Sequence, residues 1–108
     1  MVEELDPVDV AARLKEHAKD VVLLDVREPY ERELARIEPS IHIPMGEIPD
    51  RTDELPKGRE IIVYCHAGVR SAMVAGFLEA NGFDRVANLA GGIDAWSARV
   101  DPKVPRYS

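Results

Sequence analysis

Ile61-Ile62-Val63-Tyr64-Cys65-His66-Ala67-Gly68-Val69-Arg70-Ser71 contains the one cysteine of this 108-residue chain. Its first four residues form a continuous apolar run, which reads as a strand buried on both faces. A helical pattern begins near Ser71, so the stretch reads as strand, tight turn, helix. That order is the repeating unit of an α/β fold. The turn holds Gly68 and Arg70 and opens on a thiol. Inward-facing backbone N–H groups, the positive end of a helix and Arg70 would all favour a thiolate there.

The flanking sequence repeats the alternation. Asp6 is placed to cap a first helix with Pro7 at its first position. Val10, Ala11, Leu14 and Ala18 then share one face. Val21-Val22-Leu23-Leu24 reads as a second buried strand, followed by Asp25-Val26-Arg27-Glu28. Pro29 opens a short helix through Leu34, and Ile41-His42-Ile43 is a brief strand closed by Pro44. Residues 46–58 read as a loop with a short helix at most. A helix from Ser71 to Asn81 ends at Gly82, which suits a left-handed cap. Val86-Ala87-Asn88-Leu89 is a last strand, Gly91-Gly92 a turn, and Ile93 to Arg99 a final short helix. The tail from Asp101 to Ser108 reads as extended. These elements predict a single domain over residues 1–108, with a parallel sheet of about five strands and helices on both faces. Ligands of such sheets sit beyond the carboxyl ends of the strands. Asp25, Cys65 and Gly91 each follow a predicted strand, so they are expected to border one site.

Composition narrows the function. The chain is 45% hydrophobic and 31% charged, an ordinary globular balance. A net charge of −6 argues against nucleic-acid binding, which calls for a basic face. A lone cysteine forms no internal disulfide. The acidic start, Met1-Val2-Glu3-Glu4, lacks a leader pattern, and no apolar run approaches membrane-spanning length. The expected setting is a reducing cytoplasm, where a free thiol persists. His17 and His42 stand at no metal-ligand spacing, and no Walker-type pattern occurs, so neither a metal nor another cofactor is expected.

The chemistry rests on Cys65. An unperturbed thiol titrates near roughly 8.5, and helix N-termini with cationic neighbours lower it to roughly 3.5–7.5. Gly68 permits a positive φ, and Ser71 can cap the helix or donate to the anion. A competing interpretation makes Cys65 a small buried core residue, although a core cysteine requires neither Gly68 nor Arg70. Arg70 could equally turn outwards into a salt bridge. His66 is expected at the solvent or substrate edge. Asp25 and Arg27 read as a buried ion pair bracing a loop, and Trp96 as a core or pocket-wall residue.

The chain resembles single-domain rhodanese, or thiosulfate-sulfurtransferase-like, proteins. The residues that carry the likeness are Leu24-Asp25-Val26-Arg27-Glu28, Ile43-Pro44, Ile61 through Ser71, Asn88-Leu89-Ala90-Gly91-Gly92-Ile93 and Ala95-Trp96. The resemblance implies that Cys65 carries sulfur as a persulfide. It also implies that His66, Ala67, Gly68, Val69, Arg70 and Ser71 cradle that persulfide and an anionic donor such as thiosulfate. A thiophilic acceptor (cyanide, a thiol or a carrier protein) then removes the sulfur in a ping-pong cycle. The end of the chain, Gly91 through Trp96 and on to Tyr107, is similar to rhodanese domains fused to adenylyltransferases of molybdopterin and thiamine synthesis. That likeness implies a ubiquitin-like sulfur-carrier protein or a cysteine desulfurase as partner. One departure is Glu38-Pro39-Ser40, where the family commonly has Pro-Gly-Ala. Two rival functions remain. One is a Cys-dependent phosphatase or arsenate reductase, whose loop places five residues between Cys and Arg where this chain has four. The other is a regulatory or carrier module without turnover.

Overall fold

The computed structural model describes residues 2–108. Five strands form one fully parallel sheet in the order β1-β5-β4-β2-β3. They are β1 Glu3–Leu5, β2 Val21–Asp25, β3 Ile41–His42, β4 Glu60–Tyr64 and β5 Val86–Leu89. The helices are α1 Pro7–Glu16, α2 Pro29–Leu34, α3 Ile48–Arg51, α4 Val69–Ala80 and α5 Gly92–Arg99. Single 3₁₀ turns, Met45–Glu47 and Thr52–Glu54, flank α3. No helix among the described residues is long and apolar enough to cross a membrane.

The period-two alternation of side chains along the strands divides the core in two. Leu24, Ile61, Val63 and Val86 face one side and pack with Ile48 of α3 and Val74, Ala75 and Leu78 of α4. Val21, Leu23, Ile62, Tyr64, Ala87 and Leu89 face the other and pack with Val10 of α1 and Ile93 and Trp96 of α5. Both faces of β2 and β4 are thus covered, which is why their sequences are continuously apolar.

Several boundaries differ from the sequence reading, and three of the differences bear on the packing. β1 was not foreseen: Glu3 and Glu4 are exposed and only Leu5 is buried, so the segment carries too little apolar pattern to declare a strand. Pairing with β5, Leu5 beside Leu89, makes it one. α4 starts at Val69 rather than Ser71, because Gly68 turns the chain at φ +101° directly before it. α1 ends at Glu16, so Ala18 lies beyond it while Ala11 and Leu14 pack on the core.

The topology also marks out a candidate site. From β2 the chain proceeds outward to β3, and from β4 it proceeds outward to β5, in the opposite direction. Connections leaving the adjacent strands β2 and β4 therefore diverge. The crevice they leave at the strands' carboxyl ends is a topological switch point. The residues entering it are Val26-Arg27-Glu28 after β2 and Cys65 after β4.

Candidate active site

Cys65 leaves β4 and ends against the N-terminus of α4. Its Sγ accepts hydrogen bonds from Gly68 N–H at 3.1 Å, Ser71 Oγ–H at 3.3 Å and Ser71 N–H at 3.4 Å. The residue is 1% exposed. Burial alone raises a thiol, but the Ser71 hydroxyl and the N–H groups of Ser71, Gly68 and Ala67 together outweigh it. They hold Cys65 below the ordinary thiol value. A core cysteine shares the burial but not three donors converging on sulfur.

Strand and helix impose this geometry on a four-residue turn. Gly68 sits so close to the α5 entry that an added Cβ would lie 3.1 Å from Gly91 N. The first turn of α5 clamps the loop from outside: Ile93 N–H donates to Cys65 O at 2.9 Å and Asp94 N–H to His66 O at 3.1 Å. With both carbonyls bound on that side, the N–H groups of the turn face the sulfur. Gly92, at φ +63°, makes the approach possible. A Cβ there would lie 2.5 Å from Cys65 O and also collide with His66 O. Gly92→Ala is expected to destabilise the fold by about 1–3 kcal/mol, through overpacking and backbone strain, and to disorder the loop. Denaturant unfolding and the thiol's alkylation rate measure the two effects.

The other residues expected in the cradle divide. Ala67 and Val69 are the exposed members, Val69 at 71%. The half-buried His66 ring stacks on Tyr107, with centroids 4.3 Å apart and planes 19° from parallel. His66 Nε2 is buried with no hydrogen-bond partner among the described residues. Arg70 is paired with Glu31 rather than hydrogen-bonded to the sulfur. Its Nη1 and Nη2 donate to Glu31 Oε1 and Oε2 at 2.7 and 2.9 Å. Arg70 still influences Cys65 through space, and its own guanidinium titrates higher than usual, chiefly through the bonds to Glu31.

Glu31 and Tyr107 belong to a network that was not legible in the sequence. Arg27, fully buried, grips Asp25 with two bonds of 2.8 Å and donates to Ala35 O at 2.6 Å. Its Nη1 donates to Tyr107 Oη at 2.9 Å, and the Tyr107 hydroxyl donates onward to Glu31 Oε2 at 2.8 Å. Asp25 also accepts from Arg32 and from the Tyr64 hydroxyl. The chain Asp25–Arg27–Tyr107–Glu31–Arg70 thus ties the loop after β2, the C-terminal segment and the Cys65 turn together. The Arg70 guanidinium, chiefly, holds the Glu31 carboxyl down at about 2.

Asp25 closes β2 instead of following it and is fully buried, so it braces Arg27. Gly91 abuts the Cys65 turn as expected. At the atypical Glu38-Pro39-Ser40 turn, whose Glu38–Pro39 peptide is cis, Ser40 accepts from Arg32 through both Oγ and O. Trp96 lies in the α1/α5-side core. His42 Nε2 contacts Arg27 O at 2.8 Å.

A chemical consequence of the donor set is testable on the thiol itself. Ser71→Ala removes the side-chain hydrogen bond to the thiolate, a hydrogen bond to a charged group. Alkylation by iodoacetamide near about pH 6 should slow by about tenfold. The midpoint of its pH profile should move up. An unchanged midpoint would show that the backbone donors suffice.

The chain as a whole is similar to known proteins. Residues 7–99 match the model of the rhodanese-like domain. A sulfurtransferase of Allochromatium vinosum is 40% identical over 104 residues, covering 96% of each chain. A putative sulfur carrier protein of Bacillus subtilis is 40% identical over 79 residues, 73% of this chain and 43% of that longer one. The crystal structure of a rhodanese-like domain protein from Staphylococcus aureus superposes with a TM-score of 0.83 at 33% identity, over 99% of this chain and 100% of that one.

Proposed function

Because this chain belongs to the rhodanese-like family, we propose that it is a sulfurtransferase in which Cys65 is the sulfur-carrying nucleophile. Its whole length, residues 1–108, acts as one such domain. The Cys65 thiolate attacks the outer sulfur of a sulfane donor such as thiosulfate. The donor's S–S bond breaks, sulfite leaves with the electron pair, and Cys65 holds the outer sulfur as a persulfide. A thiophilic acceptor (cyanide, a small thiol, or a thiol of a sulfur-carrier protein) then attacks that outer sulfur and restores the thiolate. A cysteine desulfurase is an alternative source of the sulfur. The turn from His66 to Ser71 serves as the cradle, through its N–H groups and the Ser71 hydroxyl. The proposed setting is the cytoplasm.

The single observation carrying this reading is the set of donors on Cys65 Sγ. They stabilise an anionic sulfur at the end of a twelve-residue helix. A phosphatase needs the loop arginine on the phosphoryl oxygens, whereas Arg70 here spends both terminal nitrogens on Glu31. A four-residue turn between Cys65 and Arg70 also suits one added sulfur atom better than a tetrahedral group. A thiol held below its ordinary value favours turnover over a passive module.

Intact mass after incubation with excess thiosulfate tests the reading. One added sulfur atom is expected, removed by cyanide with release of thiocyanate. A protein that gains no sulfur from thiosulfate or from an organic persulfide would refute the assignment.

A further inference from the structure

We propose that Glu31 is the residue that sets donor charge at this site, favouring a thiol-derived persulfide over the thiosulfate dianion. The inference rests on the sulfurtransferase reading and adds the donor class to it. The turn from Cys65 to Ser71 contains one permanent cation, Arg70. Both of its terminal guanidinium nitrogens are taken by Glu31 at 2.7 and 2.9 Å. The Glu31 side chain is 4% exposed and that of Arg70 35%. Glu31 is held from two more directions, by the Tyr107 hydroxyl at 2.8 Å and by Glu28 N–H at 3.1 Å. Swinging Arg70 onto an incoming anion would strand a buried carboxylate, a costly arrangement. The other arginines nearby are also committed. Arg27 is fully buried on Asp25, and Arg106, beside His66 and Tyr107, is bidentate on Asp94. The exposed members of the turn, Ala67 and Val69, are small or apolar.

A dianion arriving at this mouth therefore meets backbone N–H groups without a free side-chain cation among the described residues, and it leaves as sulfite, again a dianion. An organic hydropersulfide makes a smaller demand. The Cys65 thiolate attacks its outer sulfur, the donor S–S bond breaks, and the organic thiolate departs with the electron pair. The outer sulfur stays on Cys65 with its proton, and no external oxidant or reductant is required.

The test compares kcat/KM for loading Cys65 from thiosulfate and from 2-hydroxyethyl persulfide, a donor with no charged group besides its sulfur. Glu31→Gln keeps the shape and frees the Arg70 charge. The thiosulfate-to-persulfide ratio should rise by about tenfold, with steeper loss of the thiosulfate rate in salt. In the Glu31→Gln/Arg70→Gln double variant the gain should vanish, because it acts through Arg70. If Glu31→Gln does not fold, Glu31→Asp, which retracts the carboxylate, should move the ratio the same way. An unchanged ratio, equal losses with both donors, or a gain that survives in the double variant overturns the assignment of Glu31 alone. Wild-type protein loaded by neither donor overturns the sulfurtransferase reading as well.

Discussion

Replacing Cys65 with serine is expected to abolish sulfur loading, with loss of turnover of at least roughly 10⁴-fold, the scale seen when a covalent nucleophile is removed. The hydroxyl fits the same space and can accept the same hydrogen bonds from Gly68 and Ser71. The fold and its stability should therefore change little. What disappears is the ability to hold sulfane sulfur: a persulfide is an S–S bond, and a serine oxygen offers no equivalent thiophile. The residual binding cradle has nothing to act on, so no background catalysis from it is expected. Two measurements on one sample decide the matter: intact mass after donor treatment, and thiocyanate released by cyanide. A Cys65→Ser protein that still turns over would remove Cys65 from the mechanism while leaving the family membership untouched.

Arg27→Met is expected to cost about 3–5 kcal/mol, because it leaves a buried carboxylate without its main partner. Asp25 and Arg27 are both completely buried and share two 2.8 Å bonds. Removing the guanidinium also orphans the Ala35 carbonyl and unhooks the Tyr107 hydroxyl. Thermal unfolding should shift down by more than about 10 °C. The pair itself need not be strongly stabilising, since each charge was taken out of water to form it. An Asp25→Leu/Arg27→Met double variant should therefore recover much of the loss, and the cycle isolates the coupling. A double variant as unstable as the single one would show that the network's polar contacts matter more than the stranded charge.

The same network sets the acid limit of the fold. Glu31 is held at about 2 against an ordinary 4.5, chiefly by Arg70, and Asp25 is lowered against its burial by Arg27. Both carboxylates release protons more readily when folded than when unfolded. Their stabilising contribution is present above the ordinary carboxylate range and is lost as pH falls through it towards the folded values. The network should therefore weaken below about pH 4.5, with Glu31 failing over the window down to about 2.

The contacts legible from the sequence are the ones made within a few residues. Cys65, Gly68 and Ser71 lie within six positions of each other, so strand, turn and helix signals already imply that N–H groups and a hydroxyl surround the sulfur. Buried strands β2 and β4 announce themselves as continuous apolar runs, and Asp6 with Pro7 marks the start of α1. Asp25 and Arg27, two residues apart, could likewise be read as a pair. Beyond that separation the local signal fails. Arg70 meets Glu31 across 39 positions, Tyr107 meets Glu31 across 76, and Arg27 meets Tyr107 across 80. Nothing in the residues around Arg70 distinguishes a cation aimed at a ligand from one neutralised by a buried glutamate. The sequence by itself determined the α/β layering and the strand–turn–helix that carries Cys65, because backbone geometry and period-two burial act over short spans. The tertiary structure alone decided which charges reach the sulfur. That choice depends on β4 and β2 lying side by side at a switch point, and on the C-terminal segment folding back over His66.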